Sequence, residues 1–184
     1  MIFFNNINMK NIIILGHINS GKTTTANYIS KRYNYNHYAL GDGVKYFVHD
    51  LYNVLNVLDS NIKPIPLASL YSKDKINYRS HLQLLSTELV KKDFGQDIWI
   101  KYLDNKIDLS KPYIIDDVRF KNEYEHYHSN AISIKVYRND EIYSSHCSEH
   151  ELDDIIADYT INNNYSILML YEQIDNIMKE ILCK

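Results

Sequence analysis

The sequence predicts an α/β fold built on a five-stranded parallel sheet covered by helices on both faces. Two observations carry this reading. Apolar segments of strand length alternate with amphipathic segments of helix length along nearly the whole chain, the pattern of strands joined by crossover helices. The first strand also runs directly into Gly16-His17-Ile18-Asn19-Ser20-Gly21-Lys22-Thr23, which fits the phosphate-binding signature G-x-x-x-x-G-K-[ST], and a helical stretch follows. In such sheets ligands bind at the carboxyl ends of the strands.

The elements follow in order. Asn11–Leu15 reads NIIIL, a buried strand, and the first helix spans about Gly21 to Tyr33, with Ala26, Ile29 and Tyr33 at helical spacing. His37–Leu40 is a short strand ended by Gly41-Asp42-Gly43. A second helix runs from about Val44 to Leu58, with Val44, Phe47, Val48, Leu51, Leu55 and Leu58 along one side. A loop carrying Pro64 and Pro66 is the longest irregular piece and is expected to be mobile. A helix then covers about Asp74 to Phe94, with Leu82, Leu85 and Leu89 on one face and Arg79, Gln83, Ser86 and Thr87 on the other. That second face could meet water or line a polar pocket. Gly95 ends the helix and Asp97 is placed to cap another. Pro112–Asp117 is a strand ending in Asp116 and Asp117, Ala131–Tyr137 a strand ending at Arg138, and Asp158–Asn162 the last strand. Ile167, Leu170, Tyr171, Ile174, Ile177, Met178 and Ile181 mark the clearest amphipathic helix. With no repeat and no low-complexity linker, residues 1–184 read as a single domain.

The chemistry of the glycine-rich loop is local. Glycines allow a tight turn that aims successive amide N–H groups into one concavity. The helix start near Gly21 adds unpaired N–H groups and the positive end of a dipole. Lys22 supplies a mobile charge for the β- and γ-phosphates, and Thr23 a hydroxyl for Mg²⁺. A carboxylate at a strand end beside such a loop helps hold the ion through water. A turn or capping role competes strongly for Asp116, so Asp117 is taken as the metal-side candidate beside Thr23. His146, Cys147, Glu149 and His150 invite a zinc reading, but neither H-E-x-x-H nor a second cysteine pair is present. Ser148-x-x-Glu151 before Leu152 reads instead as a capping box opening a short helix.

Composition narrows the function classes. The 184 residues carry a formal net charge of −3 and no long basic run, so no stable nucleic-acid partner is expected. Two cysteines, Cys147 and Cys183, make no disulfide framework and suit a reducing compartment. No apolar run is long enough to span a bilayer, and MIFFNNIN lacks the pattern of a signal peptide, so a cytoplasmic protein without a membrane partner is expected.

With the segments placed, the chain resembles the P-loop deoxynucleoside monophosphate kinases of phages and large DNA viruses, within the nucleoside monophosphate kinase group. Five blocks carry the resemblance: the loop Gly16–Thr23; LGDGVK, with Asp42 and Lys45; YRSHLQLLSTELVKKDFGQDIW, similar to R-x-x-L-Q-x-x-G-T-E with a following D-I-W; DDVRFKNE, similar to D-V-R-F-x-N-E; and HCSEHELD followed by TINN. Three positions depart from the pattern. Ser86 replaces a glycine, which could crowd a helix contact. Lys91 replaces an arginine, exchanging a bidentate ligand for a point charge. Lys121 replaces a proline.

The resemblance implies a nucleoside monophosphate kinase-like P-loop fold and transfer of the ATP γ-phosphoryl to a (deoxy)nucleoside monophosphate, with ATP and Mg²⁺ as cofactors. It implies ATP contacts from Gly16, Asn19, Ser20, Gly21, Lys22, Thr23 and Thr24, with Asn162 near the adenine. Acceptor contacts would come from Asp42, Lys45, Arg79, Gln83, Glu88 and Arg119, in a helical region of about residues 42–94. Lys22, Arg119 and Arg138 would be catalytic, Arg138 reaching the phosphoryl group from a lid of about residues 139–152. The resemblance assigns no role to His146 and Glu149; holding that lid closed is one reading of them. A homodimer is allowed for. Three other readings stay open: another small-acceptor P-loop kinase such as phosphomevalonate kinase, a switch or motor ATPase, and a non-catalytic binder. Arg119 and Arg138, both in cis at strand ends, favour a self-sufficient kinase over a motor.

Overall fold

The computed structural model describes residues 9–139 and 150–183. The sheet is five-stranded and wholly parallel, in the order β2-β3-β1-β4-β5, with β1 Asn11–Leu15, β2 Asn36–Tyr38, β3 Tyr113–Ile115, β4 Ala131–Tyr137 and β5 Tyr159–Asn162. The continuous apolar run of β1 is the signature of a strand covered on both faces. It lies at the centre, and Ile12 through Leu15 are fully buried. Its register sets Ile13 beside Ile115 of β3 and Leu15 beside Lys135 of β4. The chain leaves β1 toward β3 and β2 and later returns to β4 on the other side. That reversal of strand order opens a crevice at the carboxyl ends.

The chain forms two compact units, residues 1–39 with 107–184, and residues 40–106. In the first, α1 (Lys22–Tyr33) and α8 (Ile167–Leu182) cover one face of the sheet, through Ala26 and Ile29 of α1 and Leu170, Ile174 and Met178 of α8. Their junction is polar at one point. Asp175 accepts hydrogen bonds from Tyr28 (3.1 Å) and Tyr33 (2.8 Å) and pairs with Arg32 (3.0 Å), while Tyr28 stacks on Tyr171. Burial, then the Asp175 bond, pushes the Tyr33 hydroxyl up to about 12. Helix α7 (Lys121–His128) packs on β4 with Tyr124 and Tyr127 buried.

A second polar joint ties β4 to the start of β5. Asp158 Oδ2 accepts hydrogen bonds from the Ser133 amide (2.8 Å), the Ser133 hydroxyl (2.7 Å) and His128 (3.1 Å). Burial raises the Asp158 pKa, but the Ser133 and His128 contacts outweigh it and hold the carboxyl below its ordinary value. A depressed carboxylate contributes stability above its unfolded pKa and loses it as pH falls through the folded one. Asp158→Ala should therefore cost about 1–3 kcal/mol near neutrality, discounted for partial exposure. The gap to wild type should close below the ordinary carboxylate range. Urea melts of both proteins across pH would show it, and a pH-independent gap would contradict it.

The second unit is helical: α2 (Gly41–Leu58), α3 (Leu67–Tyr71), a 3₁₀ stretch (Lys73–Tyr78), α4 (Arg79–Gln83), a π stretch (Leu84–Lys91), α5 (Lys92–Phe94) and α6 (Ile98–Asp104). Four expectations change here. Gly41-Asp42-Gly43 is the first turn of α2, not a strand-ending turn. Gly43 is needed for close approach, since a Cβ there would lie 2.7 Å from the Tyr102 ring and 3.1 Å from Trp99. The proline loop is tied down: Ile65 is buried, its carbonyl is 2.7 Å from His49 Nδ1, and Asn56 holds the Ile62 carbonyl.

The helix expected over 74–94 is not uniform. Hydrogen bonds spanning five residues rotate its buried face, so Val90 and Lys91 are inside while Leu89 is 46 % exposed. The Trp99 indole donates to the Ser86 carbonyl (3.1 Å), and the Ser86 hydroxyl bonds back to Gln83 O. Asp97 occupies the cap position of α6 but makes no side-chain capping bond. Among the described residues no helix is long and apolar enough to cross a membrane.

Candidate active site

The loop after β1 takes the backbone its glycines allow. Gly16 (φ 140°), Asn19 (φ 63°) and Gly21 (φ 107°) all have positive φ. A Cβ at Gly16 would strike the Val136 carbonyl and lie 2.7 Å from Ser20 Oγ, and one at Gly21 would strike Asn163 Nδ2. Asn163 also donates to the Ser20 carbonyl (2.8 Å), bracing the loop from the end of β5. Gly21 caps α1, whose first N–H groups have no intrahelical acceptor. Ser20 and Thr25 keep buried hydroxyls with no hydrogen-bond partner. Lys22 Nζ folds back across the loop and donates to the carbonyls of Gly16 (2.8 Å) and His17 (2.7 Å), so it is part-buried in the free protein rather than extended into solvent.

Beside this loop, at the end of β3, stands Asp116, buried at 4 % exposure. Its Oδ1 is 3.1 Å from His37 Nε2. Burial raises its pKa, but the close contact and charge of His37, the Thr23 hydroxyl and the charge of Lys22 together bring it below the ordinary value. Asp116 is thus a carboxylate whose ionised form the Thr23 hydroxyl favours, while the candidate Asp117 is half-buried one residue further on. The sequence marks His37 only as a strand residue. No local pattern marks it, because its partner comes from a different strand.

Arg119 follows directly. The buried Glu123 carboxylate accepts the amides of Arg119 (3.0 Å) and Phe120 (3.2 Å), capping α7 and fixing the backbone that carries the guanidinium. Glu151 accepts the Lys121 amide (3.1 Å), so it caps α7 rather than a helix of its own, and residues 150–154 are turns. Arg138 is exposed just after β4. β3 and β4 flank β1, so Arg119, Arg138 and the loop all lie at carboxyl ends of adjacent strands. Asn162 is engaged in its own turn: its Oδ1 accepts from Asn164, and its backbone pairs with Gln173. Thr24 is exposed on the first turn of α1. His146, Cys147, Ser148 and Glu149, and most of the expected lid, lie outside the described residues.

Within residues 40–106, Asp42 Oδ1 accepts from Lys45 Nζ (2.7 Å) and from the Tyr71 hydroxyl (2.9 Å), and Lys45 Nζ sits 4.1 Å over the Tyr71 ring. Burial, then Asp42, raises the Tyr71 pKa. Tyr71 was missed in the sequence because it lies far from the LGDGVK block. Arg79 and Gln83 are both half-buried, at opposite ends of the single turn of α4, with Leu82 buried between them. Glu88 is exposed in the π stretch.

The fold recurs in solved kinases. A gluconokinase from Sinorhizobium meliloti matches with TM-score 0.53 and 9% identity, over 94% of this chain and 93% of that one. A dephospho-CoA kinase from Campylobacter jejuni matches with TM-score 0.52 and 15% identity, over 94% and 97%. At such identities the likeness shows the fold alone. No curated protein matches the chain. The family model for deoxynucleotide monophosphate kinase matches residues 56–174, well over half of the chain, and takes in the YRSHLQ, DDVRF and TINN blocks. This chain therefore belongs to the deoxynucleotide monophosphate kinase family and is an ATP-dependent nucleotide kinase.

Proposed function

We propose that the protein transfers the γ-phosphoryl group of ATP to a deoxynucleoside monophosphate, giving ADP and a deoxynucleoside diphosphate for DNA synthesis. The observation that carries this reading is the grouping of Lys22, Thr23 and a buried, ionised Asp116 at the carboxyl ends of the central strands. The attacking group is an oxygen of the acceptor phosphate. It forms the new P–O bond as the bond to the β-phosphate bridging oxygen breaks, and ADP leaves with that electron pair. Little covalent chemistry is asked of the protein; it places two anions in line and neutralises them. The loop amides and Lys22 hold the ATP phosphates. Arg119 and Arg138 meet the charge of the transferring group. The hard oxygen donors of Thr23 and Asp116 fit Mg²⁺, which when bound offsets phosphate charge. Residues 40–106 take the acceptor, with Lys45 and Arg79 toward its phosphate and Asp42 and Gln83 toward its sugar or base.

The test is ADP release with ATP against a panel of deoxynucleotides, ribonucleotides and phosphomevalonate. Acceptor-dependent release confined to deoxynucleotides is expected. Turnover without acceptor would favour a switch or motor ATPase, and turnover with phosphomevalonate the other kinase reading.

Arg79 and Gln83 separate phosphate from base recognition. A guanidinium suits a phosphate and a primary amide a base edge. Arg79→Ala should raise KM for every acceptor alike. Gln83→Ala should change the ratio of kcat/KM between bases and leave the ATP KM nearly unchanged. Uniform loss from Gln83→Ala, or an Arg79→Ala effect confined to ATP, would remove this turn from the acceptor site.

A further inference from the structure

We propose that His17, His150 and Asp153 form a binding site for a divalent transition-metal ion of the zinc class, separate from the Mg²⁺ position at Thr23 and Asp116. His17 Nε2 lies 3.0 Å from Asp153 Oδ1, and His150 Nδ1 lies 3.0 Å from Asp153 Oδ2. One ligand atom from each of the three side chains falls within 4.8 Å of the others, and the two imidazole rings are 5.6 Å apart and inclined at 51°. In a tetrahedral zinc site with bonds of about 2.0–2.1 Å, neighbouring ligand atoms stand roughly 3.3 Å apart. Small side-chain shifts therefore bring all three atoms onto one ion. The three side chains are partly exposed, which leaves room for water to complete the shell.

The donor set selects the metal class. Two imidazole nitrogens and one carboxylate suit zinc and its neighbours, whereas Mg²⁺ takes oxygens and keeps much of its water. The scaffold is built. Lys135, buried in β4, donates to the carbonyls of Leu152 (3.1 Å) and Asp153 (2.8 Å), and the Asp153 amide donates to His150 O (3.1 Å). On the other side, Lys22 holds the His17 carbonyl.

The test uses the full chain, stripped with a chelator and free of nucleotide and Mg²⁺, titrated with Zn²⁺ against a chromophoric indicator. One zinc per chain is expected. His150→Ala and Asp153→Asn should each weaken it by at least about tenfold, the lower end of what even outer-shell changes cause. His128→Ala and Cys183→Ser, which alter other exposed ligand types, should leave it unchanged. On the wild-type protein, ¹⁵N resonances of His17 and His150 should shift together on zinc addition. This readout needs no variant to fold. Absence of zinc binding, binding unaltered in the His150→Ala/Asp153→Asn double variant, or imidazole resonances that stay in place would each overturn the proposal. In the last two cases the His–Asp–His cluster is held by protons alone.

Discussion

Lys22→Ala is expected to lower turnover by roughly two to five powers of ten while leaving the fold intact, in line with the loss of other preorganised cationic or hydrogen-bonding groups that meet developing charge. In the free protein the ammonium already lies across the loop mouth, on the Gly16 and His17 carbonyls. Those two carbonyls mark the position from which it can swing to a phosphate with little reorganisation. Removing the ammonium costs the resting protein two hydrogen bonds in a part-buried setting. A melting temperature within a few degrees of wild type is therefore expected. Lys22→Arg should restore little. A planar fork cannot follow a moving point charge into a loop shaped around an ammonium. Steady-state kinetics with the preferred acceptor, alongside a thermal melt, checks both halves. An alanine variant keeping more than about a tenth of wild-type turnover would remove Lys22 from the chemistry.

What the sequence made legible, and what it hid, divides along the range of the interactions. β1, β4 and α8 sit where their patterns put them, because a continuous apolar run, an alternation and a helical stripe each record local burial. The loop was equally legible, since its backbone depends on glycines within it. The errors share another cause. Gly41 and Gly43 looked like turn residues, yet Gly43 is small to admit Trp99 and Tyr102 from α6. The leucine stripe at 82, 85 and 89 assumed an α-helical period. A π stretch in which the Trp99 indole takes the Ser86 carbonyl shifts the buried face to Val90 and Lys91. Lys91, an apparent departure from the family pattern, is thus an interior residue.

The site divides the same way. Lys22 and Thr23 come with the motif. The roles of Asp116, Tyr71, Asn163 and Glu123 depend on partners from other segments, which no spacing rule reveals. The pairing of His17 with Asp153 is the extreme case, joining a variable position of the loop to a turn near the other end of the chain.

Asp116 and Asp117 are adjacent in sequence and should differ sharply in effect. Asp116→Asn keeps the shape of the side chain but removes the charge that faces Thr23, Lys22 and His37. Turnover should fall by about two to three powers of ten, as when one preorganised electrostatic group is lost. The Mg²⁺ concentration for half-maximal rate should rise, since Asp116 would no longer offer a charged oxygen to the ion. Asp117→Asn, at a half-buried position beyond the strand, should stay within about threefold of wild type. The stability signature is independent of activity. The Asp116 pKa lies below its ordinary value in the folded protein, so its charge stabilises the fold above the unfolded pKa, and that contribution is lost as pH falls through the folded one. Asp116→Asn should accordingly be less stable than wild type near neutrality, with the difference shrinking in acid. Kinetics over a Mg²⁺ series and denaturation over a pH series, run on both variants, decide the assignment. Equal kinetic losses from Asp116→Asn and Asp117→Asn, or a stability gap for Asp116→Asn that persists unchanged in acid, would move the metal-side role away from Asp116.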